Sequence, residues 1–540
     1  MDDAYDVPHR SRQLVGIKPG LSGLSLLIGA AMLLKIGCTT SGTELAGLLH
    51  PDFQPTLDIR LRATSKNIQI FPGEATRALT YEPEIISGDA SKVAKLPGSY
   101  LGPIIRARTG DRVRVRLENK LQEPTIIHWH GMRVPEDMDG HPRFAIEPGR
   151  EFVYEFEVLD RAGTYWFHPH AHGTTGPQVY AGLAGLFIVS DAEEDATNLP
   201  SGEFDVPLVI QDRTFDGSNQ FVYAPQTGMM ADGVLGDQIL VNGQAEFQLP
   251  VATRAYRLRL LNGSNSRMYK LAWSDAAPLH VIATDGGLLE APITRDYVTL
   301  APGERVELWA DFSNYSLGTE VILRSTAFEG ADIGMDGMTG MMGMNDMSNM
   351  SDMPNGAEFD VMRVRVDRAE TQTQPLPERL STIARYLVEN ASNSASPRTI
   401  AVSMTMNMGL GMDMNMGWGL NGRTFRINDV AADEVIKLND LEVWELVNET
   451  TPMAMNHPLH IHGAQFQIIE RTVRPEFSTG WESVRQGYVD EGWKDTVLLM
   501  PGERVKLLVR FTDFTGRFVY HCHNLEHADA GMMRNLEVVP

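Results

Sequence analysis

Short stretches of alternating apolar and polar residues run through this chain. Val113, Val115 and Leu117 alternate with Arg112, Arg114 and Arg116, a period of two that predicts a strand buried on one face. Related strands recur at 111–119 (DRVRVRLEN), 254–262 (RAYRLRLLN) and 441–448 (LEVWELVN). Downstream of each lies a Pro-Gly turn that leads into a further alternating strand. Pro148-Gly149-Arg150-Glu151-Phe152 leads into VYEF, Pro302-Gly303-Glu304-Arg305-Val306 into ELWADF, and Pro501-Gly502-Glu503-Arg504-Val505 into KLLVRF. Three copies of one strand–turn–strand unit predict an all-β protein of repeated Greek-key sandwiches or barrels. The length of 540 residues allows two to four domains with ample core. Residues 366–400 read as a polar linker with one helix around 378–390.

Histidine is the residue whose placement departs most from chance. Of 15 histidines, ten lie in four clusters. These are His128-Trp129-His130-Gly131, His168-Pro169-His170, His457-Pro458-Leu459-His460-Ile461-His462, and the run from His521-Cys522-His523 through His527 to Met532. On a strand, His-x-His presents both imidazoles to one side. The pairs 128/130, 168/170, 460/462 and 521/523 thus offer enough nitrogens for a trinuclear copper site. In the last cluster His521 and His523 point one way and Cys522 the other, so one segment can serve two metal sites. Cys522 supplies a thiolate, and His527 and Met532 follow in the turn. A thiolate with two imidazoles and a weak thioether is the ligand set of an electron-transfer copper, and His457 is left over to complete it. Zinc is the rival, but the methionine and the adjacent all-histidine face argue against it. A lone histidine is more often a satisfied core or surface residue. That reading goes to His9, His50, His141, His172 and His280.

These motifs, in this order, resemble those of the multicopper oxidases, the family of laccases and bacterial cuprous oxidases. The likeness runs from about residue 55 to the C-terminus. It implies three cupredoxin-like domains at 51–195, 196–365 and 401–540, after a leader at 1–50 and around the linker at 366–400. Copper motifs occur only in the first and third, so the middle domain looks like a spacer and the trinuclear site should lie at the seam between the other two. Carried over residue by residue, the resemblance implies four core coppers. Type 1 is held by His457, Cys522, His527 and axial Met532, and type 2 by His128 and His460. The type 3 pair is held by His130, His168, His170, His462, His521 and His523. The stretch from His170-Ala171-His172-Gly173 to Gly185 is most similar to the bacterial copper-efflux branch, in which the position of His172 is not a ligand. Asp139, within Asp137-Met138-Asp139-Gly140, matches an acidic residue near the type 2 copper. A second acid, just after the last type 1 histidine in relatives, is replaced here by Ala528, which leaves Glu526 and Asp529 as substitutes. The implied reaction couples four one-electron oxidations to reduction of O2 to two waters.

The net charge of -23 argues against nucleic acid and suits cationic partners. Two segments narrow the substrate. Residues 335–353 contain eight methionines and 404–416 contain six, together 14 of the chain's 27. Methionine is often adaptable core filler, but a Gly-, Asn- and Asp-rich setting builds no core, and thioethers select Cu(I). Cu(I) is therefore the expected substrate. Met455 matches a substrate-copper ligand of the cuprous oxidases. Met453 stands where those relatives carry Asp, and Asp413, between Met412 and Met414, is the candidate replacement. The alternatives are a laccase acting on phenols or aromatic amines and, more remotely, a copper-binding scaffold without activity. A nitrite-reductase-like protein would lack the full type 3 set. No stretch reaches the roughly 18 apolar residues of a membrane span. The apolar run 21–34 follows Arg10, Arg12 and Lys18 and suits a signal-peptide core, with a buried helix as the bland reading. Cys38 lies in a context similar to a lipoprotein cleavage site. The expectation is an exported, cell-envelope bacterial monomer, with Cys38 available for a lipid anchor and no disulfide.

Overall fold

The computed structural model describes residues 45–46, 50, 52–225, 233–329, 332–333, 353–408, 414–448 and 454–540. The apolar run 21–34, Cys38, Met412, Asp413, Met453 and all of 335–353 but Met353 lie outside them. Three pairs of β-sheets follow one another along the chain. In the first pair, Leu57–Ile68, Thr76–Gly88, Arg112–Asn119 and Glu151–Glu157 form one sheet with Leu45–Ala46 at its edge. The other sheet contains Ile104–Arg108, Ile127–His130, Gly163–Pro169 and Gly185–Ser190. Val113, Val115 and Leu117 from one sheet meet Trp129, Phe167 and Phe187 from the other in a single core, so the alternation is spent as its period requires.

Two parallel contacts recur in every sheet pair. Leu57–Ile68 with Arg112–Asn119 in the first corresponds to Asp205–Arg213 with Ala255–Asn262 in the second and Arg398–Met408 with Leu441–Asn448 in the third. Across the sandwich, Ile104–Arg108 with Gly185–Ser190 corresponds to Gln248–Ala252 with Phe359–Arg368 and Val435–Lys437 with Met533–Val539. Parallel neighbours cannot be joined by a tight hairpin, so the chain crosses between sheets in Greek-key fashion. The sequence repeat is the same antiparallel pair in all three: Arg112–Asn119 with Glu151–Glu157, Ala255–Asn262 with Arg305–Asp311, and Leu441–Asn448 with Glu503–Arg510. Gly149, Gly303 and Gly502 of the connecting turns have φ of +78°, +85° and +69°, a backbone conformation that glycine enters without steric cost.

The stretch 378–390 is not an α-helix, contrary to the sequence expectation; only Val388–Asn390 forms a 3₁₀ turn. Its backbone is held sideways instead. The Leu380 amide donates to the Glu290 carbonyl, the Thr382 amide to the Glu193 carboxylate and the Tyr386 amide to Gln467. With Leu380 and Ile383 buried, the segment is an extended strap across neighbouring domains, and tertiary hydrogen bonds outweigh local helix preference. Phe359–Arg368 runs past residue 365 and Arg398–Met408 begins before 401, so strands take up both ends of the stretch read as linker. Among the described residues, no helix is long and apolar enough to cross a membrane.

Candidate metal centre

Strand parity and register assemble the histidines. Ile127–His130 pairs with Gly163–Pro169 so that His128 lies opposite His168 and Trp129 opposite Phe167. Trp129 and Phe167 fill the first-domain core, which sends His128, His130, His168 and His170 to the other side. In the third sheet pair, His457–Ile461 sets His460 opposite His521 and Leu459 opposite Cys522. Leu459, Ile461 and Cys522 belong to the core there, and His460, His462, His521 and His523 face the first domain. All eight are buried.

In most of these rings one nitrogen is occupied, which leaves the other bare. Nδ1 donates to a backbone carbonyl in four: His128 to Asp139 (2.8 Å), His168 to Pro169 (2.9 Å), His460 to Asp495 (2.8 Å) and His521 to Cys522 (2.8 Å). His462 Nδ1 donates to Asp139 Oδ2 at 2.7 Å. His130 is reversed, with Nε2 donating to Asp495 Oδ1 at 3.0 Å. Such outer partners fix the tautomer and aim the remaining nitrogen at a metal. The bare nitrogens converge. His128 Nε2 lies 3.2 Å from His460 Nε2, His521 Nε2 lies 3.2 Å from Nε2 of both His170 and His462, and His130 Nδ1 lies 3.4 Å from His168 Nε2. His523 is buried with neither ring nitrogen hydrogen-bonded among the described residues. Burial, with repulsion among the rings, lowers the pKa of His130, His168, His170, His462, His521 and His523 well below the usual value. The rings are thereby kept neutral, the form that ligates metal. Buried nitrogens facing one another with no donor between them are what cations satisfy, so this donor set fits metal.

The second cluster lies on the far side of the same strand. His457 Nδ1 and His527 Nδ1 sit 3.5 and 3.6 Å from Cys522 Sγ, with all three buried. Met532 is buried in the same core as Cys522. A short helix, Leu525–Asp529, returns His527 toward the cysteine, and the Met532 amide donates to the His527 carbonyl at 2.8 Å. Trp418 stacks on His527 at 4.1 Å and 18°. One peptide link on each side joins Cys522 to His521 and His523, so the two clusters are a few covalent bonds apart.

A family model described as Multicopper oxidase matches residues 79–194, and a second of the same description matches residues 397–540. A laccase from Bacillus stratosphericus is 31% identical over 82% of this chain and 90% of its own length. The chain belongs to the multicopper oxidase family. Another relative, the cell division protein FtsP of Dickeya dadantii, is 33% identical over 81% of this chain and 84% of its own length. The McoA multicopper oxidase of the hyperthermophile Aquifex aeolicus superposes with a TM-score of 0.73 at 34% identity, covering 90% of this chain and 97% of that one. Like its neighbours, the protein has three cupredoxin-like domains. It is a copper-dependent oxidoreductase that uses O2, and its histidine clusters fit the type 1, 2 and 3 coppers of this multicopper oxidase family.

Other sites expected from the sequence are placed as follows. Asp139 is fully buried and bridges His128 and His462, ligand candidates of different domains. Glu526 accepts from Tyr223 (3.0 Å), Asn265 (2.7 Å) and Ser266 (2.8 Å) of the middle domain. Asp529 accepts from the amides of Gly173, Thr175 and Gly176 in the first domain. Both carboxylates therefore tie the His527 turn to the other domains. Met455 is buried among the core residues around Cys522. Sequence spacing missed Asp495, Arg305, Trp166 and Trp418. Trp166 shares strand parity with His168 and His170, and its ring lies 4.2 Å from that of His168, so parity alone would have found it. Nothing local marks Asp495, which meets His130 only through folding.

Proposed function

We propose that this protein is a cuprous oxidase of the bacterial cell envelope, oxidising Cu(I) and reducing O2 to two waters in copper detoxification. One observation carries the choice of substrate: described strands next to the methionine-rich stretches of the sequence pair or pack beside the thiolate site. Asp332–Ile333, just before 335–353, pairs antiparallel with Ala454–Met455, two residues from His457. Met414–Leu420, at the end of 404–416, contains the Trp418 that stacks on His527. Thioethers are soft ligands, which favour Cu(I) over a harder ion.

His457, Cys522, His527 and Met532 would hold the type 1 copper in this reading, and His128 and His460 would hold type 2. The type 3 ligands fall into two trios. His170, His462 and His521 share converging nitrogens, and His130, His168 and His523 lie ring against ring. Bound copper supplies one-electron chemistry, so that four electrons and four protons convert one O2 to two waters. The protein keeps the imidazoles neutral, shuts the site off under Trp166 and the domain seam, and places a carboxylate, Asp139, against two of the rings. Asp139 is the candidate proton-handling group. Asp139→Asn keeps an acceptor for His462 and removes a titratable oxygen. Stopped-flow spectroscopy should show substrate bleaching the blue colour at the native rate, while its return under O2 slows by about 10²-fold, a size typical for general acid catalysis. Equal slowing of both phases would make Asp139 structural only.

The second reading is a laccase, favoured by the Bacillus relative. O2 uptake with Cu(I) and with a substituted phenol separates the two. Replacing the six methionines of 404–416 by leucine, or Met455→Leu, should depress Cu(I) oxidation by about 10- to 100-fold, the size typical for losing a metal-site partner, and leave phenol oxidation nearly unchanged. Parallel loss, or loss of phenol oxidation alone, would decide for the laccase. The FtsP likeness raises a scaffold reading, which the complete ligand set opposes.

A further inference from the structure

The middle domain carries no copper motif, yet its Pro302-Gly303-Glu304-Arg305 turn is wedged against the histidines. A Cβ at Gly303 would stand 3.1 Å from ring carbons of both His130 and His523, which is too tight for an unshifted neighbour. Two residues on, Arg305 is fully buried and grips Asp495 with both terminal nitrogens, one at 2.8 Å. Its Nε donates to the Thr164 carbonyl of the first domain at 3.0 Å. A Cβ at Gly131, next to His130, would collide with Asp495 Oδ2 and Arg305 Nη2, so the pair packs directly on that backbone. Asp495 Oδ1 then accepts from His130 Nε2 and from Thr496 Oγ1 (2.9 Å), and its carbonyl accepts from His460 Nδ1. Three domains thus meet in one hydrogen-bonded chain from Arg305 to two ligand rings.

The sequence repeat supplies an internal comparison. Glu304 and Glu503 do the same work, each accepting from the amide three residues before it, at 2.7 and 2.8 Å. The arginines that follow do not. Arg504 is 48% exposed and pairs with Glu445 at the surface, whereas Arg305 is 0% exposed. The turn itself therefore does not require a buried arginine. Burying a guanidinium is costly unless it is paired and hydrogen-bonded, and a planar fork is the group that holds a carboxylate in one orientation.

We propose that Arg305 is a positioning residue for the trinuclear copper site, holding Asp495 so that His130 and His460 present their free nitrogens. This rests on the assignment of those two histidines to that site. The test uses the full-length, copper-loaded protein and two variants, Arg305→Met and Arg305→Lys. During dialysis against a competing copper chelator, copper per chain, the type 2 EPR signal and the near-ultraviolet band of the type 3 pair are followed beside the blue type 1 band. Arg305→Met should hold trinuclear copper about 10- to 100-fold more weakly, as loss of an outer partner does, with the blue band unchanged. Arg305→Lys keeps the buried charge and loses the fork, so it should show the same selective loss at smaller size, and it carries the test if the Met variant does not fold. Native-like retention in both variants overturns the proposal. So does loss of type 1 and trinuclear copper together, which marks a general folding defect. Native protein that never shows the type 2 and type 3 signals overturns the ligand assignment itself, and that failure is distinct because it precedes any variant.

Discussion

Cys522→Ser is expected to give a folded, colourless protein with substrate oxidation reduced by more than about 100-fold, beyond the 10- to 100-fold typical of losing only an outer partner. In the proposed assignment the intense visible band comes from a bond between copper and the Cys522 thiolate, which a hydroxyl cannot replace. The fold should survive because Cys522 is a small buried side chain whose backbone ladder is untouched: its amide still donates to the Met532 carbonyl at 3.0 Å. His521 and His523 stay on their own face, so trinuclear copper should remain. Copper analysis should therefore find about three ions per chain where the native protein holds about four, the type 1 ion having lost its thiolate. Full colour in this variant would remove Cys522 from the type 1 site. Loss of all copper would mean that the two clusters cannot be occupied separately.

Trp129→Ala should have the largest effect on stability. Trp129 is fully buried, with ring centroids at 5.3 Å from Tyr154 and Phe156, 5.4 Å from Phe167 and 6.0 Å from Phe187. Its indole nitrogen has no hydrogen-bond partner among the described residues, so the cost is transfer and cavity alone, about 3–5 kcal/mol. The loss falls on the strand that aims His128 and His130 the other way. Amide exchange in Ile127–His130 and Gly163–Pro169 should quicken by about 10²- to 10³-fold as local opening becomes easier, and trinuclear copper should be lost with it. Unchanged exchange would mean that the aromatic side of this strand does not anchor its histidine side.

Much of this protein was written locally. A strand alternates with a period of two, so His-x-His had to place two rings on one face and Cys522 had to oppose its neighbours. The strand–turn–strand repeat announced three similar β-units, because Pro-Gly followed by alternation leaves the backbone few other choices. The eight paired histidines and Cys522 were legible for that reason, and His457, His527 and Met532 as the ligand types that a thiolate copper site still needed. What spacing does not carry is the partner of a ring's second nitrogen. Asp139 was visible only by family likeness, and Asp495 and Arg305 were not visible at all. Asp495 lies 365 residues from His130 along the chain, and Arg305 comes from a domain without copper motifs. Glu526 and Asp529 were candidates as acids near the metal, and folding adds what spacing could not show: their hydrogen bonds bind the His527 turn to the first and middle domains. The strap at 378–390 is not a helix because its amides meet distant acceptors. Local sequence sets which way a side chain or amide can point, but the packing of three sandwiches decides what it meets. A buried polar group goes to whichever distant donor or acceptor spares it the cost of being left unpaired.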